Sequence, residues 1–145
     1  MAHNEFQKKF DVDKVFTLKT VNNAIISSTT TVTGTPWILM DRAHHIAFIC
    51  QPIDANLAGA ITASVLQATS VSGSGSKTIG TAASTSWSAG TGDLGIKVLE
   101  VEASQLDVAN GFDCVSLKVV TAGGDSFCAH AVRGPLRHAP ASLIT

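Results

Sequence analysis

Apolar and polar residues alternate with a period of two along several stretches of this chain, and a helical period is hard to find anywhere. In residues 44–51, Ile46, Phe48 and Cys50 share one face, and Ala47 and Ile49 share the other. Successive strand side chains point to opposite sides, so two apolar faces predict a central, well-covered strand. Residues 61–69 set Ile61, Ala63 and Val65 against Thr62 and Ser64. The clearest alternation lies in residues 112–121, with Val115, Leu117 and Val119 toward a core and Ser116 and Lys118 outward.

Residues 15–20 and 96–102 also read as strands, residues 24–33 as a longer one, and residues 37–40 are short and apolar. Gly34-Thr35-Pro36 is a turn, and residues 51–59, with Pro52, Asp54 and Asn56, are a loop. Gly123-Gly124-Asp125 is a hairpin signal that predicts a return strand over residues 126–132. Residues 104–110 read as a short helical turn closed by Asn110-Gly111. Residues 70–95 are dominated by Ser, Gly, Thr and Ala, which predicts a mobile loop with weak strands near 77–79 and 84–88. Trp87 is the one large aromatic there and is expected to anchor the segment to the core.

About eight strands with turns between them predict an all-β domain, an antiparallel two-sheet sandwich that is jelly-roll-like. Its expected body is residues 15–132. Phe6, Phe10 and Phe16 fit no single period, so residues 1–14 are expected to be an extended arm. Pro135 and Pro140 break residues 133–145, an extended tail.

Composition narrows the function. The chain has 145 residues, 45% hydrophobic and 14% charged, which suits one folded domain and argues against disorder. A net charge of -1 supplies no positive field for nucleic-acid phosphates, so no nucleic-acid partner is expected. No apolar run approaches the roughly 20 residues of a membrane helix, and residues 1–14 are too polar for a signal peptide. Cys50, Cys114 and Cys128 are odd in number and lack CxxC spacing, so reduced, structural thiols are expected.

Candidate chemistry is sparse. Gly73-Ser74-Gly75-Ser76-Lys77-Thr78 lacks the glycine directly before the lysine of a phosphate loop, and no helix pattern follows it. His44 and His45 are neighbours, so on a strand they diverge and cannot easily share a metal. His130 and His138 read as surface residues. No Gly-x-Ser-x-Gly elbow exists. Glu100 and Glu102 lie on one strand face at a spacing of about 7 Å, which would suit a glycosidase pair but reads more simply as two solvated carboxylates. No catalytic residue, metal or cofactor is expected.

The stretch Val98-Leu99-Glu100-Val101-Glu102-Ala103-Ser104-Gln105-Leu106-Asp107 leads into Gly111-Phe112-Asp113-Cys114-Val115-Ser116-Leu117-Lys118-Val119-Val120. The chain then closes on Ala129-His130-Ala131-Val132-Arg133-Gly134-Pro135-Leu136-Arg137-His138-Ala139-Pro140. This third of the chain resembles the capsid decoration, or cement, proteins of tailed bacteriophages. Cys114 and His138 stand where aromatic residues are expected in that pattern. The resemblance implies a virion structural protein, made in the bacterial cytoplasm and placed on the capsid exterior. Its partners would be the major capsid protein and further copies of itself in a symmetric dimer or trimer. Phe6, Phe10, Arg133 and Arg137 are the expected contact residues. A carbohydrate-binding sandwich module is the alternative, weakened by the lack of Tyr, and a tail or connector protein is a third reading.

Overall fold

A computed structural model describes residues 11–18, 37–41, 43–80 and 84–136 of the chain. Nine strands run through them: β1 (Asp11–Leu18), β2 (Ile38–Leu39), β3 (Ala43–Pro52), β4 (Ile61–Ala68), β5 (Lys77–Thr78), β6 (Ser84–Trp87), β7 (Lys97–Glu102), β8 (Cys114–Thr121) and β9 (Phe127–Leu136). One sheet has the order β1-β9-β3-β7. The other has the order β2-β8-β4-β5, with β6 also paired to β4. All pairings are antiparallel.

β5 and β6 lie along the same edge of β4, against residues 66–67 and 61–64 respectively, and together act as one interrupted strand. Counted so, the strands number eight and their sheets read 1-8-3-6 and 2-7-4-5. That is the double Greek key of a jelly roll. The expected strand over residues 24–33 and the turn at residues 34–36 lie outside the described residues.

The core forms where the alternating apolar faces of the two sheets meet. Ile46, Phe48 and Cys50 of β3 are fully buried, as are Ile61 and Ala63 of β4 and Val115 of β8. Leu117 and Val119 are 1% and 3% exposed. Each of the Val, Leu, Ile and Phe side chains contributes roughly 1.5–3 kcal/mol by leaving water. Trp87 is wholly buried, its ring edge-on to Phe127 with centroids 5.3 Å apart. Its indole Nε1 donates to the Gly95 carbonyl at 2.8 Å. The Ser- and Gly-rich segment is therefore pinned by a core residue, as its lone large aromatic suggests.

Four sequence readings need correction. Gly123-Gly124-Asp125 does not close a hairpin: β8 lies in one sheet, and β9 pairs β3 and β1 in the other. The turn is a corner between sheets. Asp125, 5% exposed, accepts hydrogen bonds from the backbone N–H groups of Ala58 (2.7 Å, Oδ1) and Gly59 (3.1 Å, Oδ2). Gly59 and Gly123 pack backbone to backbone there; a Cβ on Gly59 would sit 2.5 Å from Gly123 N. Second, β1 begins at Asp11 and β9 runs to Leu136, so residues 11–14 and 133–136 belong to the sheet rather than to arm and tail. Third, Ser116 is 2% exposed, not outward in solvent. Fourth, β3 is central in its sheet, but its second face is not fully covered: Ala47 is half-buried and Ile49 is 36% exposed.

Candidate interaction surface

The uncovered side of β3 and β7 is the most distinctive surface among the described residues. Ile49 of β3 lies directly opposite Val98 of β7. Both point away from the core, and Val98 is 50% exposed. Ile96, just before β7, and Ile53, just after β3, are each 62% exposed. The four are a mainly apolar group on this sheet face, with the exposed Gln51 of β3 standing between Ile49 and Ile53. Toward the other end of the same strands, Glu100 lies opposite Ala47 and Glu102 opposite His45. His45 Nε2 is 3.8 Å from Glu100 Oε2. On the far side of β3, His130 of β9 faces Ile49.

Glu100 and Glu102 serve separate contacts. Glu102 heads a 3₁₀ turn over Ala103–Gln105; its backbone N–H donates to Gln105 Oε1 at 2.8 Å, and Ser104 Oγ donates to Glu102 Oε2 at 3.1 Å. His44 is exposed and His45 half-buried, so the neighbouring imidazoles diverge. Among the described residues, no three His, Cys, Asp or Glu side chains are placed to hold a metal ion. No described helix is long and apolar enough to cross a membrane.

A second polar cluster closes one end of the sandwich. Lys77 Nζ donates to Asp107 Oδ2 at 2.5 Å and sits 4.1 Å from the centroid of the Phe112 ring. Gln67 Oε1 accepts from the Asp107 backbone N–H at 2.9 Å. Lys77 thus turns away from the glycine loop that precedes it. That loop closes on itself, with Thr69 N–H donating to the Ser74 carbonyl at 3.1 Å and Gly73 N–H to the Ser70 carbonyl at 3.0 Å. The Lys77 hydrogen bond, aided by Asn110, holds the Asp107 carboxyl below the ordinary 3.8.

None of the three cysteines is paired in a disulfide. Burial pushes Cys50 up to about 12, with the nearby Cys128 adding to the shift. Burial also pushes Cys114 to about 12, aided by the hydrogen bond from its Sγ to Asp113 Oδ1 at 3.2 Å. Cys128 is half-buried. Neither Cys50 nor Cys114 has the electropositive setting that makes a nucleophilic thiolate.

Of the residues expected to make contacts, Phe6, Phe10 and Arg137 lie outside the described residues. Arg133 is placed by the structure, and it is not on the surface. It is 8% exposed, and its guanidinium Nη1 donates to the Leu39 carbonyl at 2.5 Å, tying β9 to β2 across the sandwich. The parity of β9 explains this, since Ala129, Ala131 and Arg133 all face inward. Sequence reasoning missed the stripe of Ile49, Ile53, Ile96 and Val98. Its one signal was the second apolar face of residues 44–51. No family model, curated protein or solved structure matches this chain.

Proposed function

We propose that the protein is a virion structural protein that decorates and stabilises the head of a tailed bacteriophage by binding the major capsid protein. It is not an enzyme in this reading. It acts as a symmetric homo-oligomer on the capsid exterior. The observation that carries the reading is the apolar stripe of Ile49, Val98, Ile96 and Ile53 on the outer sheet face. Several large apolar side chains exposed on one face of a small β-domain favour a protein-binding surface over a solvated one. The resemblance of residues 96–141 to decoration proteins supplies the identity of the partner. Jelly rolls serve in virions and in lectins alike, so the fold alone does not choose between them. Glycan platforms are exposed aromatics; Trp87 is fully buried, Trp37 is half-buried with its indole against Gly73, and the chain has no Tyr, which favours the virion reading.

The near-zero net charge gives no long-range steering, so binding rests on apolar contact and tolerates salt. The test mixes undecorated heads with full-length protein, a form lacking residues 1–10, and a Val98→Asp variant. Each is co-sedimented at moderate and high salt. The deletion stops before Asp11 because β1 starts there. Full-length protein is expected to bind at both salt concentrations and the other two to bind weakly. Failure of the full-length protein to bind heads defeats the proposal and advances the carbohydrate module.

A further inference from the structure

We propose that Asn110 is a site of spontaneous hydrolytic modification, deamidation by water, which the fold restrains through Asp107. Asn110 is exposed and is followed by Gly111. In this reaction the backbone nitrogen of the following residue attacks the asparagine side-chain carbonyl carbon. A glycine there has no side chain to obstruct the approach. The Gly111 nitrogen gives up its proton and bonds to Asn110 Cγ. The Cγ–Nδ2 bond breaks, and ammonia leaves with the proton. Water then opens the cyclic imide at either carbonyl, leaving aspartate or isoaspartate. One water enters and one ammonia departs, with no change of oxidation state.

The structure holds both reacting groups. Asn110 ends a 3₁₀ turn, Val108–Asn110, and Gly111 closes it with φ of 80°. The nucleophile is engaged: Gly111 N–H donates to the Val108 carbonyl at 3.0 Å. The electrophile is engaged too, with Asn110 Nδ2 donating to Asp107 Oδ1 at 2.9 Å and Oδ2 at 3.0 Å. Asp107 is itself fixed by Lys77 on β5 and by Gln67 on β4. Attack requires the amide to rotate off Asp107 and the turn hydrogen bond to open. The product places a carboxylate where the amide donated to Asp107. Two like charges at that distance repel, so the product loses the contact between residue 110 and Asp107. The chemistry is independent of capsid binding.

The test incubates full-length protein in mildly alkaline buffer and follows residue 110 by peptide mapping with isoaspartate detection. Native wild type, wild type unfolded in urea, and native Asp107→Ala are compared. Asn56, exposed but followed by Leu57, is the internal control. Wild type should react roughly tenfold or more slowly when native than when unfolded, the ratio one charge-assisted hydrogen bond supports. Native Asp107→Ala should react faster than native wild type yet slower than the unfolded chain, because the Gly111–Val108 turn hydrogen bond remains. If that variant does not fold by circular dichroism, Lys77→Met, which frees Asp107 from β5, should accelerate the native reaction. Equal rates in native and unfolded wild type, no acceleration in the folded variants, or no reaction at residue 110 in the unfolded chain would each overturn the proposal.

Discussion

Replacing Asp125 tests whether the corner between β8 and β9 is latched as the structure describes. The carboxylate accepts two backbone N–H groups from the loop after β3, at 2.7 and 3.1 Å. They are not equivalent. Ala58 is exposed, so water can replace the lost acceptor, and that bond should cost about 0.5–1 kcal/mol. Gly59 is buried against Gly123, so Asp125→Ala leaves its N–H without water or acceptor, at about 1.5–3 kcal/mol. The expected loss is therefore about 2–4 kcal/mol, a large share of the roughly 5–15 kcal/mol that keeps a domain folded. Asp125→Asn can keep an oxygen on Gly59 and turn its amide toward the wetter Ala58, so it should cost less, about 0.5–1.5 kcal/mol. Urea unfolding followed by tryptophan fluorescence measures both as midpoint shifts at constant slope. An Asp125→Ala variant within about 0.5 kcal/mol of wild type, or one no worse than Asp125→Asn, would refute the latch.

Leu117→Ala should cost about 2–5 kcal/mol in the same assay, since Leu117 is 1% exposed in the core; a loss under about 0.5 kcal/mol would mean that β8 presents its other face inward. A thiol reagent should titrate only Cys128 rapidly in the native protein and all three cysteines after unfolding; rapid reaction of three native thiols would contradict the burial of Cys50 and Cys114. Because the folded Cys50 thiol is raised from 9.0 to about 12, its contribution to stability is complete below pH 9.0 and is lost as pH climbs toward 12. Urea midpoints across that range should fall more gently for Cys50→Ala than for wild type. The Asp107 carboxyl is depressed, so its contribution is present above the ordinary 3.8 and fades as pH drops through the lowered value; Asp107→Asn should abolish that part of the acid dependence.

Much of the sandwich is legible in the chain because the signals are local. The alternation in β3, β4 and β8 reports directly which residues face a core. The isolated Trp87 shows that the low-complexity segment must be tethered. What is illegible is non-local. A Gly-Gly-Asp turn serves a hairpin and a sheet-to-sheet corner equally well, because turn chemistry fixes backbone angles and not the neighbour of the next strand. Arg133 sits beside Pro135 and near Pro140, which argues for an irregular tail; only its register against Ile46 reveals an inward-facing strand position. The apolar stripe depends on the pairing of Ile49 with Val98, positions far apart in sequence that no periodicity connects.

The same sheet also explains why association through β7 should favour its face over its edge. Among the described strands, β7 pairs on one side only, with β3, and so offers an open row of backbone groups. Such an edge invites a second copy to add its own β7. An antiparallel self-pair centred on Glu100 would set that residue against its own counterpart. Shifted to centre on Val101, it would set Glu100 against Glu102 twice. Like charges directly opposite each other destabilise a ladder, so both registers are penalised. The opposite end of β7 is no easier to recruit: Lys97 is committed to Asp93 at 2.7 Å and to the Ser86 carbonyl at 2.6 Å. With two self-pairing registers of the β7 edge opposed by carboxylates, the apolar part of the outer face is the more favourable surface that β7 offers. There Ile49, Val98 and Ile96 lose hydration without any charge being buried. A partner that covers the stripe flat leaves Glu100 and Glu102 at the rim, in water, where carboxylates cost nothing to keep.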